Sequence, residues 1–91
     1  MHQPPLYKSF PKYDARRHFV IIDAIYRLKE KASLHYIALD IGATRAEVNR
    51  AINVIPEQYG VEIVKNGAIY TLISWGIINK KEMNNLLKIV R

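Results

Sequence analysis

Residues 44 to 53 read Thr-Arg-Ala-Glu-Val-Asn-Arg-Ala-Ile-Asn, which sets two guanidinium and two carboxamide groups within ten positions. Such groups can read a base edge: arginine offers two parallel N–H donors to guanine, and asparagine pairs in the same bidentate way with adenine. At 100° per residue Val48, Ala51, Ile52 and Ile55 fall on one helical face. Arg45, Ala46, Glu47, Asn49, Arg50 and Asn53 fall on the other. Thr44, just before the first turn, is a good N-cap type in a place that also suits a phosphate. The same residues could equally solvate an ordinary surface helix, so their meaning depends on what carries that helix.

The preceding segment supplies a carrier. Ser33 precedes Leu34, Ile37, Ala38 and Ile41, apolar at helical spacing, and Gly42 then allows the chain to leave the helix in a left-handed conformation. Ala38 is small enough to let a second helix approach, and Val48 and Ala51 are placed to lock against it. Two helices with a three-residue turn result, the second able to project from the domain. Upstream, Asp14 can cap a helix that runs to about Lys31 with Ile21, Ile22, Ile25 and Leu28 inward. Residues 1–13 hold Pro4, Pro5, Pro11, Lys8 and Lys12 without an acidic residue and are expected as an extended arm.

From Gly60 the period changes to two. Val61 and Ile63, then Tyr70 and Leu72, flank Asn66-Gly67, a dipeptide suited to a type I′ hairpin turn with positive φ at both positions. Pairing about that turn sets Lys65 opposite Ala68, Ile63 opposite Tyr70 and Val61 opposite Leu72, with the apolar four on one face. Lys65 and Asn66 at the tip then form a wing able to meet a phosphate or enter a minor groove. Trp75 is expected to plug the core between the hairpin and the last helix. Asn79 and Glu82 open that helix, which carries Met83, Leu86, Leu87 and Val90 as an apolar stripe. Pro56 is expected either to end the third helix early or to start its last turn.

Ninety-one residues suffice for one domain, which leaves little room for an enzyme cleft. A net charge of +6 raises the expectation of a polyanionic partner. Absence of cysteine excludes disulfides and thiolate chemistry, and His2, His18 and His35 are too scattered for a ligand set, so no metal and no cofactor are expected. No apolar run approaches the length of a membrane span, and no signal-peptide pattern opens the chain; the expected location is cytoplasmic. No nucleophile has an adjacent base, and no glycine-rich phosphate loop occurs, so an enzyme is not expected.

The stretch SLHYIALDIGATRAEVNRAINVIPEQYGVEIVKNGAIYTL resembles the DNA-binding domain of the bacterial biotin repressor and related small winged-helix regulators. The shared features are a Ser-led helix two, Gly42 before the turn, a Thr-Arg-Ala start to helix three, and Gly60-Val61-Glu62-Ile63 leading to a strand ending Tyr70-Thr71-Leu72. The resemblance implies that Thr44, Arg45, Glu47, Asn49 and Arg50 lie on a DNA-facing helix and that Lys65 and Asn66 lie on the wing. The wing here is shorter and no ligase domain follows, so neither biotin sensing nor any small-molecule effector is implied.

The expected fold is therefore α+β, mainly α: a winged helix-turn-helix domain over residues 14–91 with a three-helix core, a two-stranded wing and a C-terminal helix. The expected function is sequence-specific binding of double-stranded DNA by a transcriptional regulator, a small repressor or phage- or plasmid-type control protein, acting as a homodimer on a two-fold operator. The competing reading is a protein-interaction module on the same scaffold, for which Glu47 on the reading face is the best support. A nonspecific architectural or RNA-binding protein is a further rival, distinguished by steep salt dependence without sequence preference.

Overall fold

Six consecutive residues, Val20 to Ile25, are buried in the computed structural model, which describes residues 5–88. They belong to α1 (Arg16–Leu28), the central helix of the domain. A surface helix buries one stripe; α1 is covered on several sides, by α2 (Leu34–Ile41), α3 (Arg45–Tyr59) and a strand. The remaining elements are β1 (Glu62–Asn66), β2 (Ile69–Ser74) and α4 (Lys80–Leu86), with short 3₁₀ turns at Tyr7–Ser9 and Lys29–Lys31. The architecture is α+β and mainly helical. Val90 and the first four residues, named above in the last helix and the arm, lie outside the described residues.

The helix starts follow local chemistry. The Ser33 hydroxyl accepts from the Tyr36 N–H at 3.2 Å, and Gly42 ends α2 at φ 72° while the Ala43 N–H returns to the Ala38 carbonyl. Asn79 accepts from the Glu82 N–H at 3.1 Å. Pro56 does not end α3, which runs on to Tyr59. The residues around it hold the last turn: Ile55 is fully buried, the Tyr59 hydroxyl shares a 2.9 Å hydrogen bond with Nδ1 of His18, and the Gly60 N–H donates to the Pro56 carbonyl.

Asp14 anchors the start of α1 one residue ahead of the formal cap position. Its carboxylate accepts from the Arg16 backbone N–H at 2.8 Å and from the Arg16 guanidinium at 3.0 and 2.7 Å. Those hydrogen bonds hold its pKa down at about 2. A carboxyl depressed on folding contributes stability above its unfolded value that is lost as pH falls through the folded one. Asp14→Asn is thus expected to melt below the wild type at pH 7, with the gap closing between about pH 4 and pH 2. Thermal melts across that range check it; a gap that persists at pH 2 would point to a pH-independent cause.

β1 and β2 pair antiparallel, but each β1 residue faces a partner two positions further along β2 than expected. Asn66 faces Ile69, Lys65 faces Tyr70 and Ile63 faces Leu72, with an irregularity at Glu62/Ile63. The turn residues are therefore Gly67 and Ala68, and Asn66 is a strand residue. Only Gly67 has positive φ, at 63°, the requirement of a type II′ turn, so a second left-handed residue is unnecessary. Sliding the pairing by two residues keeps the parity of both strands. Ile63, Tyr70 and Leu72 still share a face and pack on the core, while Val61 is buried just before β1. The Tyr70 N–H donates to the Ala32 carbonyl at 2.9 Å, which fastens β2 to the chain between α1 and α2.

Residues 5–13 are not an extended arm. They fold back over the domain: Tyr7 and Phe10 pack against the core, the Arg17 Nε–H donates to the Phe10 carbonyl at 2.9 Å, and the Arg17 guanidinium lies 4.7 Å over the Tyr7 ring. Two aromatic side chains provide the burial that a proline-rich, lysine-bearing string otherwise lacks. Trp75 is partly buried against the core and meets Tyr26 of α1 at 5.3 Å between ring centroids. Met83 of α4 and Leu87 just after it are buried while Leu86 stays half exposed.

Candidate nucleic-acid interface

The α2–α3 joint consists of the residues chosen for it. Ile37, Ile41 and Val48 are fully buried, with Ala38 and Ala51 nearly so. This leaves the opposite side of α3 to solvent, where Arg45, Ala46, Asn49, Arg50 and Asn53 are all exposed. The face is bounded on its C-terminal side by Glu57, also exposed and one turn beyond Asn53. Its cationic and carboxamide groups are thus confined to the first turns of α3.

Two of the expected readers do local work as well. Glu47 was placed outward, but it is only half exposed and closes a capping box: its Oε1 accepts from the Thr44 N–H at 2.9 Å, while the Thr44 hydroxyl accepts from the Glu47 N–H at 3.1 Å. Two backbone donors at the helix start are satisfied in this way. The backbone hydrogen bond to Thr44 is the chief cause that lowers the Glu47 pKa, and the charges of Lys8 and Arg17 add to it. Arg45 leans toward α2, its Nη2 3.0 Å from Nδ1 of His35. The spacing Thr44-x-x-Glu47 was the available signal for the box.

No family model, curated protein or solved structure matches the chain. The chemistry of this surface therefore rests on its own geometry.

Lys65 and Asn66 stand apart from the α3 face in the contacts they make. Lys65 Nζ lies 5.6 Å from the centre of the Tyr70 ring, its strand partner. Asn66 lines a groove with Ile25, Tyr26, Lys29 and Glu30, at the C-terminal end of α1. The hairpin tip itself is Gly67-Ala68, without charge.

At the other end of α1 is a groove of about 400 Å³ along one flank of α3. Its walls are Tyr7, Lys12, Tyr13, Arg17 and His18 on one side and Glu47, Arg50, Val54 and Gln58 on the other. Burial pushes the His18 pKa down and the Tyr59 hydroxyl up, so their shared hydrogen bond joins two neutral groups near pH 7. The charge here comes from Lys12, Arg17 and Arg50 against Asp14 and Glu47, and both carboxylates are already engaged, by Arg16 and by Thr44. Sequence reasoning noted the lysines of the N-terminal segment as charge but had no means of placing them beside α3.

Among the described residues no three or more His, Asp or Glu side chains gather as a metal site would require, and no helix is long and apolar enough to cross a membrane.

Proposed function

We propose that this chain is a winged helix-turn-helix regulator that binds double-stranded DNA in a sequence-specific way, with α3 in the major groove and the β1–β2 hairpin as the wing. The observation that carries the reading is the division of α3 into two faces. One is locked to α2 across a three-residue turn, and the other presents Arg45, Asn49, Arg50 and Asn53 to solvent. A helix about 10–12 Å across fits a major groove of similar width, and these side chains have the donors that distinguish guanine and adenine there. Net charge supports the same reading.

Glu47, taken alone, would favour a protein partner over DNA, but its carboxylate is accounted for by the helix cap. The resemblance to small winged-helix regulators belongs with this proposal. So does a two-fold dimer, because a single recognition helix contacts too few base pairs for high specificity. Leu86 on α4 is half exposed and could contribute to such a dimer surface.

Selection from a random duplex pool tests the reading. The expected product is a two-fold sequence with half-sites about one helical turn, ~34 Å, apart. Arg45→Glu with Arg50→Glu should weaken retention at least about 100-fold, since each bidentate contact is worth roughly 1–3 kcal/mol. Both positions are exposed, so circular dichroism should report an unchanged fold. No enrichment at moderate salt, or retention indifferent to the charge reversal, would sink the proposal.

A further inference from the structure

A helix lying in a major groove has a phosphate rim on either side. In this protein the two flanks of α3 differ. Arg45 and His35 lie on the α2 side; the opposite flank is walled by residues 7–18, which bring basic side chains to it without belonging to the helix-turn-helix.

We propose that the N-terminal segment is a phosphate clamp, in which Lys8 and Lys12, together with Arg17, hold the sugar-phosphate backbone of the strand that borders this flank of α3. The inference rests on the DNA-binding reading and adds to it a set of sequence-independent contacts.

Three observations carry it. Lys12 and Arg17 share the groove walls with Arg50, so the cations of the segment continue those of α3. Lys8 lies with Leu6 against Gly42 and Ile41 at the turn between α2 and α3, where Leu6 Cδ2 is 3.8 Å from the place a Gly42 side chain would occupy. The segment therefore follows the joint from the turn to the side of α3. Third, Tyr13 is 92% exposed in the turn before α1. Lys12 Nζ is 5.4 Å from its ring, so an exposed aromatic and a cation are presented together. The carboxylates facing this surface, Asp14 and Glu47, are each held by partners within the chain.

Arg17 also supports the fold through Phe10 and Tyr7, so the test uses the two lysines. Duplex affinity of Lys8→Gln with Lys12→Gln is measured across a salt series, on the selected sequence and on a scrambled one. A control, Lys81→Gln with Lys88→Gln, makes the same change in net charge in and after α4. Each phosphate contact contributes about 0.9 to the slope of log affinity against log salt. The clamp variant should lose about two from that slope and roughly tenfold or more in affinity at 0.1 M salt, equally on both duplexes, while the ratio between them stays the same. The control should keep the wild-type slope. If the wild type binds the selected sequence but the clamp variant keeps its slope, or the control loses as much, the clamp is overturned and the DNA reading stands. If the wild type prefers no duplex, the reading itself falls, and the clamp with it.

Discussion

Arg27→Met is expected to lower the unfolding free energy by about 3–5 kcal/mol, the cost of removing one partner from a buried ion pair. Asp23 is fully buried in the middle of α1, and the Arg27 Nε–H donates to its Oδ2 at 2.7 Å. The same guanidinium reaches α2, where Nη2 meets Asp40 Oδ2 at 2.6 Å. Burial pulls the Arg27 pKa down, but the hydrogen bonds to Asp40 and Asp23 outweigh it and hold the group above its ordinary value. One arginine therefore compensates a carboxylate within the core and ties α1 to the helix that carries α3. Methionine fills a similar volume without the charge and removes the guanidinium that pairs with both carboxylates.

For a domain of this size such a loss corresponds to a drop in Tm of more than about 12 °C. Asp40→Asn, whose side chain is 17% exposed where that of Asp23 is fully buried, should cost only about 1 kcal/mol. Denaturant unfolding of both variants measures the difference. A loss below about 1 kcal/mol in Arg27→Met would show that Asp23 is compensated by other groups.

Gly76→Ala should be nearly as damaging for a different reason. Gly76 has φ 59°, and an added methyl would lie 2.6 Å from the Gly60 carbonyl oxygen and closer still to Tyr59 O and Gly60 C. All of these are backbone atoms and cannot turn aside. Left-handed backbone costs a non-glycine residue about 1–2 kcal/mol. Overpacking adds roughly 1–3 kcal/mol. The contact also holds the 2.9 Å hydrogen bond from the Ile77 N–H to the Tyr59 carbonyl, which joins the segment after β2 to the end of α3.

Gly67→Ala provides the comparison, since Gly67 has a similar φ of 63° but open space around it. It should show the conformational cost alone, about 1–2 kcal/mol. Equal losses at the two glycines would mean that the chain at Gly76 moves aside without penalty.

Much of the helical layout was readable in the chain because its causes are local. Ser33, Thr44 and Asn79 each cap a helix through a hydrogen bond that spans three residues. Gly42 stops α2 because glycine bears no penalty in the left-handed region. The 3.6-residue period separated Val48, Ala51, Ile52 and Ile55 from Arg45, Asn49, Arg50 and Asn53, and that division is the one observed. The face of the hairpin was legible too, since parity along a strand survives the slide in register.

What local reasoning missed depends on groups distant in sequence. The step from an Asn66-Gly67 to a Gly67-Ala68 turn arises in a hairpin whose second strand is fastened to Ala32; both turns suit the local residues. The bond between Glu47 and Thr44 is the exception, a local one that the Thr44-x-x-Glu47 spacing already carries. Asp23, by type a surface residue, is buried beside the Arg27 guanidinium one turn on, which offsets its charge and is itself held by Asp40 of α2. The N-terminal segment has prolines and lysines but no strong helical or strand period, so its course had no local determinant. Its place beside α3 follows from Tyr7 and Phe10 finding the core and Arg17 binding the Phe10 carbonyl. Apolar spacing alone dictates which residues of α3 face outward; which cations stand beside them depends on the packed core, because side chains some forty residues apart become neighbours only once that core is formed.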